Sequence, residues 1–282
     1  MDAFRRLPFT SVISVAWLLS ATATRIEAQG TSSLPAATAA DRKDAKAYVD
    51  LGMIFYQRGD FVTAIADYAE AIRISPDYAE AYSNRGSAYA KQMDYDRAIG
   101  DYTEAVRLDP NFAGAYYNRG NAYYYEGSYD KAIDDYMEAI RLNPNYVDVY
   151  ENRGNAYRKK GDYDKAIGDY TEAIRLKPNY ARAYYNRGTG YYQKQEYSAA
   201  IRDFTEAIRL NPNYAEVYNN RGSAYANEHE YDQAIRDYTD AIRLDPNSSR
   251  VYTNRGLAYM KLKRIDKANA DFAEARRLEH GH

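Results

Sequence analysis

Glycine stands at positions 52, 86, 120, 154, 188, 222 and 256, one every 34 residues without a break. A period of that length marks one supersecondary unit written seven times, and a unit so short cannot enclose a core of its own. The copies must stack, each burying its apolar face on its neighbours, instead of gathering around one centre. With Ala45 as the first residue, the copies start at 45, 79, 113, 147, 181, 215 and 249.

Each copy divides into two helical patterns. Tyr48, Gly52 and Phe55 fall on one face of a first helix, at the four-and-three spacing that a 3.6-residue period requires. Ala64, Tyr68, Ala71 and Ile72 fall on one face of a second, and Pro76 follows where a helix stops. Small residues at Gly52 and Ala64 are expected to let the two backbones approach while Tyr48, Phe55 and Tyr68 fill the surrounding space. Acids near the start of the second helix, such as Asp162 and Asp164, and bases near its end, such as Arg175, suit the helix dipole. Much of the apolar area comes from 33 tyrosines, whose hydroxyls each need a partner or water.

In the third copy Tyr116, Arg119, Gly120, Tyr123, Ala132, Tyr136, Ala139 and Pro144 occupy positions 4, 7, 8, 11, 20, 24, 27 and 32. This unit resembles the tetratricopeptide repeat (TPR), and the resemblance covers residues 45–278. It implies an all-α fold, a right-handed superhelical solenoid of seven antiparallel helix pairs, with a concave wall lined by positions 2, 5, 6, 9, 12 and 13 of the first helices. One position departs from that family, where position 7 is usually aliphatic: here it is Arg85, Arg119, Arg153, Arg187, Arg221 and Arg255, with Leu51 the exception. Every copy also carries an aspartate at position 23, from Asp67 to Asp271. Because the first copy has the aspartate without the arginine, each arginine is expected to reach the aspartate of the preceding copy. The last copy reads as a cap, since Asn269 and Arg276 replace the isoleucines or valine found at their positions earlier in the chain.

A scaffold so regular puts specificity in what varies along its lined face. Position 6 carries Asn84, Asn118, Asn152, Asn186, Asn220 and Asn254, a row whose amides offer donors and acceptors to an extended peptide backbone. The competing reading gives these asparagines to bridging adjacent helices. Position 9 adds Asn121 and Asn155, and positions 5 and 12 add Tyr117, Tyr124, Tyr185 and Tyr192. Arg158, Lys159 and Arg182 supply a basic patch. The peptide-binding groove is therefore expected at Asn84, Asn118, Asn152, Asn186, Asn220, Asn254, Tyr117, Asn121, Tyr124, Asn155, Arg158, Arg182, Tyr185 and Tyr192. The family's carboxylate clamp is matched at Asn121, Asn152 and Arg182, while Tyr117 and Asn186 replace two of its basic residues, so an internal extended segment fits better than a chain terminus.

Two segments precede the repeats. Residues 1–28 read as a signal peptide: Arg5-Arg6, an apolar run from Leu7 to Ala21, and small-residue cleavage sites after Ala23 or Ala28. Residues 29–44, rich in Ala, Ser and Thr, read as a flexible linker. Export to a bacterial periplasm or to the exterior is expected, with membrane attachment only if the signal segment is retained. The absence of cysteine removes disulfides and lipobox acylation from consideration.

Other functional classes find little support. With 38 basic and 40 acidic side chains the chain lacks the excess positive charge expected of a nucleic-acid binder. No cysteine and only three histidines, at 229, 280 and 282, leave no thiol–imidazole pair and no histidine-rich metal cage. The carboxylates recur at the same places in every copy, as scaffold residues do. No enzyme activity, cofactor or metal is expected. The sequence predicts a monomeric scaffold for a protein or peptide partner, with a self-associating envelope component and a glycan-binding groove as alternatives.

Overall fold

The computed structural model describes residues 38–280. Among them are fourteen helices and no strand, arranged in two compact units that divide between Glu126 and Gly127. The first unit holds α1 (Ala39–Gln57), α2 (Phe61–Ile74), α3 (Ala79–Lys91), α4 (Tyr95–Leu108) and α5 (Ala113–Glu126). The second holds α6 (Tyr129–Leu142), α7 (Val147–Lys159), α8 (Tyr163–Leu176), α9 (Ala181–Gln193) and α10 (Tyr197–Leu210), followed by α11 (Ala215–Asn227), α12 (Tyr231–Leu244), α13 (Ser249–Lys261) and α14 (Ile265–His280). Within each unit every helix packs on the next, and the first helices of successive repeats also touch: α1 with α3 and α3 with α5, then α7 with α9, α9 with α11 and α11 with α13. Positions that share a face of the first helix are thereby brought side by side.

The helix-pair boundaries follow from local chemistry. Asp60, Asp94 and Asp162 each accept a backbone N–H three residues on, satisfying one of the donors that a helix start leaves open. The first helix starts earlier than composition suggests. Thr38 and Asp41 form a capping box, so residues 39–44, expected to belong to the linker, are helical. The expected signal peptide and the rest of the linker lie outside the described residues.

The periodic glycine is a contact requirement. A Cβ built on Gly52 would lie 2.7 Å from Cε1 of Tyr68, on Gly154 2.7 Å from Cε1 of Tyr170, and on Gly188 2.8 Å from Cε1 of Phe204. These position-24 rings, fully or almost fully buried, are the largest side chains of the core. Around them Ala64, Ala98, Ala166, Ala200 and Ala234 are completely buried, holding the second helix close to the first.

The arginine–aspartate pairing differs from the sequence expectation. Arg85 meets Asp101, Arg153 meets Asp169, Arg187 meets Asp203, Arg221 meets Asp237 and Arg255 meets Asp271, each through two hydrogen bonds of 2.6–2.9 Å within its own repeat. The bond to the preceding repeat goes to a threonine two residues beyond that repeat's aspartate: Arg119 to Thr103, Arg187 to Thr171, Arg221 to Thr205 and Arg255 to Thr239, at 3.0–3.1 Å. A guanidinium is forked, so it binds a carboxylate on one edge and keeps a donor for the neighbour. Each arginine also lies over the position-4 tyrosine of its helix, as Arg153 does over Tyr150 at 5.8 Å. An aliphatic residue could pack on that ring but would make neither the hydrogen bonds nor the cation–π contact.

In the last repeat Asn269 and Arg276 are exposed, whereas Ile133 and Ile235 at the position of Asn269 are buried. The turn inside each described repeat passes through a left-handed residue. That residue is Gly59, Gly127 or Gly161 in three repeats, but Met93, Gln195, His229 or Lys263 in the others, with φ between 59° and 64°.

Candidate functional site

The expected groove residues lie on the first helices of their repeats. In the first unit α3 carries Asn84, and α5 carries Tyr117, Asn118, Asn121 and Tyr124. In the second, α7 carries Asn152, Asn155 and Arg158, α9 carries Arg182, Tyr185, Asn186 and Tyr192, α11 carries Asn220 and α13 carries Asn254.

Much of the second unit's asparagine row is engaged in linking repeats. Asn186 donates to Oε1 of Glu151 at 3.0 Å, Asn220 to the hydroxyl of Tyr185 at 3.2 Å, and Asn254 to Oδ1 of Asn219 at 3.0 Å. The register is constant: position 6 donates to position 5 of the preceding repeat, 35 residues earlier. It arises because the first helices touch, bringing a short amide side chain within reach of its neighbour. In the first unit the residue before Asn84 in this register is Val49, which offers no side-chain acceptor.

Position 9 serves the core as well as the face. Oδ1 of Asn155 accepts the hydroxyl of buried Tyr170 at 2.9 Å, and Ser87 and Ser223 do the same for Tyr102 and Tyr238 at 3.1 and 3.2 Å. Where the ring is Phe272, which is half-buried and has no hydroxyl, position 9 is Leu257. Burial raises the pKa of the Tyr102 phenol to about 12, with the Ser87 bond opposing it.

The basic patch is smaller than its sequence implies. Glu151 is 1% exposed and sits at the centre of a cluster. Nε and Nη2 of Arg182 reach its two oxygens at 2.6 Å, Asn186 donates to Oε1, and the Tyr180 hydroxyl donates to Oε2. Burial works against the Arg182 charge, but the bonds to Glu151 and its charge hold the guanidinium pKa above its ordinary value. The same surroundings raise Tyr180, burial first and Glu151 second. Arg182 is thus paired with protein. Arg158 is different: its Nε is buried with no hydrogen-bond partner among the described residues, and Lys159 beside it is exposed. The tyrosines form ring contacts, Tyr185 with Tyr214 at 5.1 Å and Tyr192 with Tyr197 at 5.4 Å, while Asn227 donates to the Tyr192 hydroxyl at 3.0 Å.

The first unit contains an opening that the residue-type argument did not single out. A cavity of about 270 Å³ lies among α1, α3, α4 and α5, bounded by the rings of Tyr56, Tyr95, Tyr102 and Tyr125 and floored by Ala90 and Ala122. Asn118 and Asn121 line it, as expected of groove residues, and Lys91 joins them. The signal was in the position-12 series, where Ala90 falls between Tyr56 and Tyr124 and leaves a ring's space empty.

Among the described residues no group of three His, Cys, Asp or Glu side chains could hold a metal ion, and no helix is long and apolar enough to cross a membrane.

Comparison with known proteins matches a TPR repeat model at residues 52–92, 120–159, 154–189 and 190–228. Two tetratricopeptide repeat models match residues 79–112 and 215–248, and residues 101–134 and 237–269. No curated protein matches the chain. Among solved structures, a crystal structure of MamA is 31% identical with a TM-score of 0.56, over 57% of this chain and 95% of that one. YrrB, described as a TPR protein with an unusual peptide-binding site, is 23% identical with a TM-score of 0.58, over 70% of this chain and 97% of that one. The C-terminal part of a TPR repeat-containing protein from Cytophaga hutchinsonii is 20% identical with a TM-score of 0.69, over 82% of this chain and 95% of that one.

Proposed function

Since the chain belongs to the tetratricopeptide-repeat family, we propose that it is a non-catalytic interaction scaffold that takes an extended segment of a partner protein along the face of its first helices. One observation carries this reading. First helices of successive repeats touch within each unit, so their variable positions merge into a lined face, and that face keeps polar and aromatic groups beyond those the scaffold consumes. Backbone amides of an extended peptide supply the matching donors and acceptors. Arg158 and Lys159 favour a segment with acidic side chains, whereas Arg182 is spent on Glu151.

Selection of random peptides displayed on phage against the purified protein tests the reading. Selected peptides should bind the parent, lose binding to Arg158→Glu, and keep it with Arg175→Glu, which alters an exposed pair on α8. Equal binding to all three, at unchanged helicity, would move the interaction off this face. The N-terminal pattern of arginines, apolar run and small-residue sites supports a site of action outside the cytoplasm; cell fractionation with N-terminal sequencing tests this part of the proposal. Self-association end to end is disfavoured by the exposed Asn269 and Arg276, and light scattering decides that alternative.

A further inference from the structure

The cavity in the first unit has a shape, a lining and a charge that together describe an occupant. Tyr95 and Tyr125 stack with ring centroids 5.6 Å apart and 14° between their planes, and Tyr125 is 69% exposed, leaving much of that phenol bare to solvent. Opposite polar demands are already met inside: the Tyr102 hydroxyl is satisfied by Ser87. The available surface is aromatic faces and alanine methyls together with the amides of Asn118 and Asn121, which can meet the backbone on either side of a guest side chain, and a cation stands beside them at Lys91, which is exposed. A volume of about 270 Å³ falls just below the range of drug-sized ligand sites, and suits one large side chain.

The sixth repeat supplies an internal contrast. It has the same small pair, Ser223 and Ala226, preceded by Tyr192 as Ser87 and Ala90 are preceded by Tyr56. There Asn227 spans the step and donates to the Tyr192 hydroxyl. In the second repeat the corresponding residue is Lys91, so the polar group at that place is a cation and the space beside it is open.

We propose that the cavity among Tyr56, Ala90, Lys91, Tyr95 and Tyr125 is the anchoring subsite of the scaffold, taking an aromatic side chain of the partner peptide with an acidic residue next to it held by Lys91. Aromatic walls favour an aromatic guest through stacked and edge contacts, buried aromatic anchors dominate interface energies, and a charge at the rim selects the neighbour's sign. This rests on the scaffold reading only in taking a peptide as the ligand class.

The probe is a labelled Gly/Ser-flanked peptide with one Phe-Glu pair, followed by saturation-transfer NMR and fluorescence anisotropy on the full chain. Its controls carry Ala-Glu or Phe-Lys, and chitotriose stands for a glycan. The Phe-Glu peptide should bind saturably, and both controls should bind about tenfold more weakly, the worth of one good contact. Ala90→Tyr, which restores the residue type of Tyr56, Tyr124 and Tyr192 at that position, should abolish binding without loss of helicity. Tyr125→Ala should weaken it, and Lys91→Glu should reverse the preference between Phe-Glu and Phe-Lys. Undiminished binding to Ala90→Tyr, equal binding of the Phe-Glu and Ala-Glu peptides, no binding to the parent, or chitotriose binding in place of the peptide would each overturn the subsite. If the subsite fails while display-selected peptides still depend on Arg158, the scaffold reading stands without it. If those peptides ignore Arg158 while the Phe-Glu peptide behaves as expected, the subsite stands and the extended face does not.

Discussion

Arg153 grips Asp169, sixteen residues further along the chain, through Nε to Oδ2 at 2.9 Å and Nη2 to Oδ1 at 2.6 Å. The pair joins the two helices of one repeat, not two repeats, and the arginine side chain is 18% exposed. Removing one member of a buried pair leaves the other charge uncompensated, at about 3–5 kcal/mol; residual solvent access puts Arg153→Leu near the lower end. Urea unfolding should show that Arg153→Leu with Asp169→Leu costs less than the two single replacements added together.

The first repeat performs part of this experiment naturally, because Leu51 stands where the arginine would be. Oδ2 of Asp67 is buried without a hydrogen-bond partner among the described residues, and burial, with Asp60 adding to it, raises the Asp67 pKa from 3.8 to about 6. A raised carboxyl pKa means that the folded state keeps its proton after the unfolded chain has released it. The associated stability is full below about pH 4, falls as pH rises, and is gone above about pH 6. Many other acids titrate nearby, so the quantity to measure is the difference between parent and Asp67→Asn, which should change over this window and flatten above it. Leu51→Arg should also remove the slope and raise stability by about 1.5–3 kcal/mol, the range for hydrogen bonds to a charged group.

Gly154→Ala should destabilise the chain by about 1–3 kcal/mol through overpacking, because the added methyl would lie 2.7 Å from Cε1 of Tyr170, a ring with no free side to move toward. A thermal melt of the variant unchanged from the parent would refute the contact requirement.

Asn155→Leu should remove the side-chain acceptor of the Tyr170 hydroxyl, at about 1–3 kcal/mol. Adding Tyr170→Phe should return most of that loss, since the seventh repeat already combines Leu257 with Phe272. Chemical denaturation of both variants checks the coupling; equal stability of the single and double replacements would show that Asn155 does not serve the hydroxyl.

Gln195 is exposed and holds φ at 63° in the turn between α9 and α10. Left-handed backbone costs a side-chain-bearing residue about 1–2 kcal/mol, and glycine returns part of that through its freer unfolded state. Gln195→Gly should therefore stabilise by about 0.5–1 kcal/mol, read as a higher melting temperature. Gly161→Gln, the reverse change at the equivalent turn, should do the opposite.

The repeat length, the two-helix unit, the crowding at Gly154 and the polar replacements at Asn269 and Arg276 were all legible because each depends on residue type at a fixed spacing, and helical periodicity turns spacing into a shared face. What spacing could not settle was which repeat a side chain reaches. Asp169 lies in the same repeat as Arg153 and Asp135 in the preceding one, and sequence distance does not rank them. Packing chose the aspartate of the same repeat, and sent the spare guanidinium donor of Arg187, Arg221 and Arg255 back to a threonine.

The lined face divides in the same way. Its candidate residues, including Asn186, Asn220, Arg158 and Arg182, were named from the positions that the family resemblance implies. Which of them the protein uses internally depends on contacts between helices 35 residues apart. Glu151 neutralises Arg182 and engages Asn186, and Ala90 matters only because Tyr56, Tyr95 and Tyr125 stand around the space it leaves. Sequence by itself determined the unit and its faces, since these follow from the periodicity of one helix, and the family resemblance pointed to the candidate surface. Tertiary structure decided which charges are spent and where a cavity remains, since hydrogen bonds and empty volume exist only between side chains that the fold has brought together.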